Sequence, residues 1–289
     1  MATAVLAAGA ACARETPARD PAAAPLLFLT DFGMKDGAVA VCKGVMLGIA
    51  PNLRIVDLTH ETPAYDIETA GEVIEQALPF YPPGTVVVAV VDPGVGSERK
   101  PMAALTKKGH LLVGPDNGIF TLALATEGLD RAVELTKAKY FRQADKSFTF
   151  HGRDIFSPVG AHLAAGTPID SLGPALVPVK LDVQPARLSA GAIAGIVRYI
   201  EDPYGNVVTN IPAAMLDSVA RMGDRLDVRI GPKSYRLPWR NTFSDVSVGS
   251  PLAVMQSRGV LSFSINQGDF AKRYNIKRHD VVTVRRVAP

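Results

Sequence analysis

Thr85-Val86-Val87-Val88-Ala89-Val90-Val91-Asp92-Pro93-Gly94 is the most β-prone stretch of the chain. An uncharged, mostly β-branched run ends in an acidic residue and a Pro-Gly turn. Such a run, with no polar alternation, reads as a strand buried on both faces. Working outward, Leu26 to Thr30 is a similar run that ends in Asp31-Phe32-Gly33. Arg54 to Leu58 is another, near Asp57 and His60, and His110 to Val113 is a fourth, followed by Gly114-Pro115-Asp116-Asn117-Gly118. Between them, Gly37 to Ile49 and Ile67 to Leu78 carry apolar residues at helical spacing, with Glu72 and Glu75 assigned to the polar side of the second. Strand alternating with helix predicts an α/β fold: a mostly parallel sheet flanked by helices.

The texture changes further along. Gly173 to Leu188 holds three prolines and no helical period, which reads as a linker. After it, Ala194 to Tyr199, Asn206 to Ile211, Arg225 to Ile230, Ser234 to Leu237, Pro251 to Gln256, Val260 to Ile265 and Val281 to Arg286 are short alternating runs. Their close spacing predicts a smaller C-terminal antiparallel sheet or β-barrel. The expected organisation is a leader or disordered tail at 1–25, an α/β catalytic domain at 26–180 and a β domain at 189–289.

Composition narrows the function. With 47% hydrophobic and 20% charged residues, the 289-residue chain can bury sizeable cores. Lys and Arg total 31 against 28 Asp and Glu, and a formal charge of +3 argues for neither nucleic acid nor anionic membrane as partner. Two cysteines, Cys12 and Cys42, exclude a disulfide framework and a Cys-based zinc site. No apolar run reaches the roughly 18 residues of a membrane span. Residues 1–25 are Ala-rich; Gly9-Ala10-Ala11-Cys12 faintly resembles a lipoprotein cleavage box, but no basic residue precedes the apolar stretch. A cytoplasmic location is expected, with export or anchoring through Cys12 as the alternative.

Asp31, Asp92 and Asp116 each follow a predicted strand and precede a Gly-containing turn. In open α/β sheets ligands bind outside the carboxyl ends of the strands, so these carboxylates are expected to line one crevice. Each is equally a good turn or helix-cap residue. Asp92-Pro93-Gly94-Val95-Gly96-Ser97-Glu98-Arg99 begins like a dinucleotide fingerprint, but Arg99 stands where the third Gly belongs. In Phe148-Thr149-Phe150-His151-Gly152-Arg153-Asp154, His151 is a candidate general base, while Arg153 and Asp154 also read as a local ion pair. In the second half, Asp202-Pro203-Tyr204-Gly205-Asn206 is a turn whose Tyr and Asn suit a nucleobase. Ser257, Arg258 and Asn266 are donors suited to a carboxylate.

Taken in order, Leu29-Thr30-Asp31-Phe32-Gly33, Val91 to Gly96, Gly114 to Gly118, Phe150 to Asp154, Tyr204-Gly205-Asn206 with Thr209-Asn210, and Ser257-Arg258-Gly259 resemble the S-adenosyl-L-methionine (SAM) hydroxide adenosyltransferases, relatives of the SAM-dependent fluorinase and chlorinase. The resemblance spans about residues 26 to 287. It implies the same two-domain fold and hydrolysis of SAM to adenosine and L-methionine, without cofactor or metal. It places the catalytic Asp, Arg and His on Asp92, Arg99 and His151. The halogenases carry Tyr at the Asp92 position and Ser at the Gly152 position, so Asp92, Arg99 and Gly152 favour hydroxide over halide. By the same matching Asp31 is a ribose ligand. Asp202, Tyr204 and Asn206 contact methionine and adenine, as do Ser257, Arg258 and Asn266. The resemblance also implies a homotrimer with active sites between subunits. Two other readings stay open on the residues alone. One is a metal-dependent hydrolase using Asp31, Asp92, Asp116 and His60 or His151. The other is a nucleoside- or SAM-binding module without catalysis.

Overall fold

The computed structural model describes residues 24–142 and 148–287, so nearly all of the expected leader lies outside the described residues. The chain divides into two compact units at Leu181/Asp182.

The first unit is built on one six-stranded sheet. Its elements are β1 (Leu26–Thr30), α1 (Ala38–Ile49), β2 (Ile55–Thr59), α2 (Ile67–Ala77), β3 (Val86–Val90), β4 (Pro101–Thr106), β5 (Leu111–Pro115), α3 (Thr121–Glu127), β6 (Leu129–Glu134) and α4 (Ser157–Ala164). The sheet order is β2-β1-β3-β5-β4-β6. The pairs β2–β1, β1–β3 and β3–β5 are parallel, while β4 runs antiparallel to both β5 and β6. The sheet is thus mostly parallel, as its runs predicted.

The continuous apolar runs have a direct cause. Successive side chains point to opposite faces, and both faces are covered. Leu26, Phe28, Val86, Val88 and Val90 pack with Val39, Cys42 and Met46 of α1 and Val159 and Leu163 of α4. Leu27, Leu29, Val87, Ala89 and Val91 pack on the other side with Ala70 and Ile74 of α2 and Ala123 of α3. Glu72 is not on the polar side as expected; it is buried with only 2% of its surface exposed.

The second unit holds β7 (Arg187–Ser189), β8 (Ala192–Glu201), β9 (Asn206–Pro212), α5 (Ala213–Asp217), β10 (Arg225–Ile230), β11 (Lys233–Arg240), β12 (Pro251–Met255), β13 (Val260–Ile265), α6 (Phe270–Tyr274) and β14 (Val281–Arg286). Strands run β14-β10-β11-β12-β13-β9-β8, and a β14–β8 pairing closes the ring into a seven-stranded barrel flanked by β7. β11–β12 is the parallel pair; the others are antiparallel. Alternate residues such as Leu226, Val228, Ile230, Leu261, Phe263, Ile265, Val282 and Val284 fill the interior. Among the described residues no helix is long and apolar enough to cross a membrane.

Candidate active site

β1 and β3 are adjacent and parallel, with Thr30 opposite Val90. Their carboxyl ends therefore present Asp31 and Asp92 side by side. Asn117, just past β5, reinforces this edge. Its Nδ2 donates to Val91 O at 2.9 Å and its Oδ1 accepts from Ile119 N at 3.2 Å. In the sequence Asn117 is one residue of the Gly114 to Gly118 turn, and nothing there marks this bond.

The segment 92–99 curls back on itself through consecutive turns. Val95 N donates to Asp92 O, Ser97 N to Gly94 O, and Arg99 N to Ser97 Oγ. Gly96 sits at φ +78°, and a Cβ there would stand 2.9 Å from Phe148 O. Only glycine meets both demands, so Gly96 lets this loop close on the segment carrying His151.

The curl returns the Arg99 guanidinium to Asp92. Nε donates to Oδ1 at 3.0 Å, and Nη2 donates to Oδ2. This bidentate fork is buried: the side chains of Arg99 and Asp92 are 7% and 5% exposed. Nη2 also lies 3.1 Å from His151 Nδ1. Arginine only donates, so Nδ1 is the acceptor, and His151 is the neutral tautomer with its proton on Nε2. Arg99 Nη1 is buried without a hydrogen-bond partner, and the guanidinium lies 5.4 Å from the centre of the Phe156 ring. Asp92, Arg99 and His151 thus form one connected group.

His151 immediately precedes a short π-helical turn, Gly152–Phe156, that leads into α4. Wide turns of this kind re-aim side chains at functional sites. Arg153 and Asp154 form the local ion pair that the sequence allowed. Asp154 is fully buried and receives Arg153 Nε at 2.6 Å and Nη2 at 2.8 Å.

Asp31, Phe32, Tyr65, Val90, Asp92, Val95, Thr149, Phe150, His151 and Gly152 line a cavity of about 110 Å³. Asp31 Oδ2 accepts from Tyr65 N at 3.0 Å. That bond holds Tyr65 at φ +68° with its ring largely exposed. Nothing in the sequence marked Tyr65. Asp116 departs from the expectation of a shared crevice. It does not line the cavity; its Oδ1 accepts from Val179 N at 2.8 Å and so pins the Pro-rich segment. Burial pushes its carboxyl above the ordinary range, against the bond from Val179 and the nearby Lys100 and Arg99. Among the described residues no three His, Cys, Asp or Glu side chains stand close enough to hold a metal ion, so the proposed ligand set is not assembled.

In the second unit the expected contacts fall into two groups. β13 lies between them; at roughly 3.4 Å per residue its six residues span about 20 Å. At one end, Arg258 Nη2 donates to Tyr199 Oη and stacks over that ring, beside the exposed Ser257. At the other end is Asn266, whose Nδ2 donates to Val246 O at 2.8 Å. Asp202, Tyr204 and Asn206 lie toward the Asn266 end, because Val207 pairs with Phe263. Tyr204 is exposed, and Asn206 Nδ2 donates to Glu201 Oε2 at 2.7 Å. Asn266 therefore does not join Ser257 and Arg258 in one grip within this chain.

The chain matches the models of the SAM hydroxide adenosyltransferase N-terminal domain over residues 26–173 and of the C-terminal domain over 195–283. It is 38% identical over 259 residues to an (R)-S-adenosyl-L-methionine hydrolase of Thermus thermophilus, covering 88% of this chain and 96% of that one. A fluorinase of Actinoplanes sp. is 30% identical over 289 residues, covering 90% and 96%. A crystal structure of an uncharacterized conserved protein from Thermotoga maritima superposes with a TM-score of 0.87 at 35% identity, covering 90% of this chain and all of that one. With both family domains matched in order, this chain belongs to the SAM hydroxide adenosyltransferase family.

Proposed function

We propose that this protein hydrolyses SAM to adenosine and L-methionine by hydroxide attack at the ribose C5′. The observation that carries the reading is the buried Arg99 fork between Asp92 and His151, beside a cavity that Asp31 also lines. The sulfonium of SAM is already a good leaving group. An O–C5′ bond forms, the C5′–S bond breaks, and its electron pair leaves with sulfur as the neutral thioether of methionine. What the reaction needs is an aligned nucleophile stronger than water.

The hydrogen-bond polarity sets each role. Arg99 and the Nε2–H of His151 are donors suited to hold a hydroxide. Asp92 fixes the guanidinium plane through two bonds. Nδ1 of His151 is turned to Arg99, so His151 serves first as a donor. It becomes a base only if Arg99 releases Nδ1. Alignment of hydroxide with the C5′–S axis supplies the remainder through proximity. In this mechanism the positive charge that a metal would bring is on the substrate.

Asp31 would take the ribose hydroxyls through the carboxylate capacity left beside its bond to Tyr65. The cavity is well below the roughly 300 Å³ at which pockets for whole drug-sized ligands begin. It suits one fragment of SAM, with the rest held by other groups. Asp202, Tyr204, Asn206, Ser257, Arg258 and Asn266 are the candidates, and a trimer would supply them from a neighbouring subunit. Their separation to opposite ends of β13 fits contacts with two different parts of SAM rather than one carboxylate.

The test is incubation of purified protein with each sulfonium epimer of SAM, with and without EDTA, followed by product analysis. Adenosine and methionine in both samples are expected. Loss of products with EDTA would favour the metal-dependent reading, and binding without turnover the binding module.

A further inference from the structure

His60 lies outside the cavity, yet it is almost fully buried, and its ring meets the Phe28 ring edge-on at 4.9 Å. Its Nδ1 is 2.8 Å from Thr30 Oγ1, and its Nε2 is 3.1 Å from Asp57 Oδ1. Asp57 Oδ2 in turn accepts from Lys43 Nζ at 2.6 Å. Burial pushes the Asp57 carboxyl up, but Lys43 and His60 outweigh it and hold it below the ordinary carboxylate range. Asp57 is therefore an ionised acceptor.

The side chains of Thr30 and His60 are thus joined by a buried hydrogen bond. The same Thr30 oxygen accepts from Phe32 N–H at 3.2 Å. The next amide, Gly33 N, donates to the carbonyl of His60 itself at 2.7 Å. Two successive backbone amides around Asp31 and Phe32 thus depend on His60, one through Thr30 and one directly. His60 also opens the segment that reaches Tyr65, whose amide binds Asp31 Oδ2.

We propose that His60 is a positioning residue: the His60–Thr30 relay sets the turn that aims the Asp31 carboxylate and the Phe32 ring into the cavity. It rests on the proposed reading of that cavity as the nucleoside end of the SAM site. An apolar side chain at 60 would fill the same volume and keep the contact with Phe28. It would leave the buried Thr30 hydroxyl without its partner and the turn free to shift. The relay therefore acts on substrate binding rather than on the chemical step.

The test compares Thr30→Val, which removes only the hydroxyl, Thr30→Ser, which keeps it, and His60→Leu. Steady-state kinetics with SAM, adenosine affinity by calorimetry and thermal unfolding are measured for each. Thr30→Val and His60→Leu should raise KM and the adenosine Kd about tenfold, the scale of one disrupted buried hydrogen bond, with kcat little changed. Thr30→Ser should restore both constants toward wild type. The double variant Thr30→Val/His60→Leu should bind no worse than the weaker single, because both break one relay. A folded Thr30→Val protein with wild-type KM and adenosine affinity would overturn the relay, and so would a loss confined to kcat or a Thr30→Ser protein as impaired as Thr30→Val. If His60→Leu does not fold, the isosteric Thr30→Val variant decides alone. Wild-type protein that failed to bind adenosine would refute the site reading itself, and the relay with it.

Discussion

At the scale of single residues, the catalytic proposal concentrates on one guanidinium. Arg99 Nη2 serves both Asp92 and His151, so the three side chains share atoms rather than acting in parallel. Replacing each by Ala should lower kcat by about 10²–10⁴-fold, the usual worth of a positioned acid–base group. Double variants should lose little more than the worse single one, as for residues that act as a unit. Steady-state kinetics on the full set of singles and doubles checks this, and strictly additive losses would contradict it. Cys42 illustrates a buried group of another kind. Burial pushes its thiol up to about 11, against the Ser157 hydrogen bond and the charge of Arg153. A thiol raised in the folded state favours folding below its ordinary value and loses that contribution as pH climbs through the raised one. Native protein at pH 8 should therefore leave Cys42 unalkylated by iodoacetamide, while denatured protein labels it. A pH scan of thermal unfolding should show a shallower decline between pH 9 and 11 for Cys42→Ala than for wild type.

At the scale of elements, the carboxyl ends of β1 and β3 carry the site because α4 packs tightly on the sheet and brings the turn before it alongside. The contact is close at Gly160, where a Cβ would stand 2.2 Å from Val88 Cγ2. Gly160→Ala should destabilise the first unit by about 1–3 kcal/mol through overpacking. The companion change Val88→Ala should recover part of the loss by making room. Denaturant unfolding of the two singles and the double measures the coupling, and a double variant as unstable as the sum of the singles would rule out this contact as the cause. The elements differ, for related reasons, in how clearly the sequence carries them. β1, β3 and β5 were legible because both their faces are buried, and the edge strand β2 because Ile55, Val56 and Leu58 still form a short apolar run around the exposed Asp57. β4 was not, since Pro101-Met102-Ala103-Ala104-Leu105-Thr106 contains little β-branching and pairs through its place between β5 and β6. β6 was equally opaque: Leu129-Asp130-Arg131 is exposed and polar on an edge. The segment 173–188 reads as irregular and mostly is, but it is tied down by Val179 N on Asp116 and Leu181 N on Thr121. Hydrogen bonds of irregular backbone leave no periodicity to detect.

At the scale of the whole molecule, the proposed trimer makes the sharpest claim. Asp92, Arg99 and His151 lie in the first unit, while Ser257, Arg258 and Asn206 lie in the second. Head-to-tail rings join unlike surfaces, so a shared site would combine residues of two subunits. Co-expressing His151→Ala with a protein changed at Arg258 and Asn206 tests this. Random mixing should leave about one site in four intact, because each heterologous contact takes one surface from each subunit. Two inactive parents would then regain a substantial part of wild-type activity. Activity that stays absent in assembled mixtures would show that each site belongs to one chain. What the sequence by itself determined is the sheet-and-barrel division, the continuous strands with Asp31 and Asp92 at their ends, and the ordered motifs of the family, since hydrophobic periodicity and turn chemistry are written locally. Only the tertiary structure decided that Arg99 joins Asp92 to His151, 52 positions further on. It likewise spent Asp116 on the Pro-rich segment and set Asn266 at the far end of β13 from Arg258. The reason is that hydrogen-bond partners are chosen by which strand ends the sheet order makes neighbours, and that order is a property of packing rather than of any one segment.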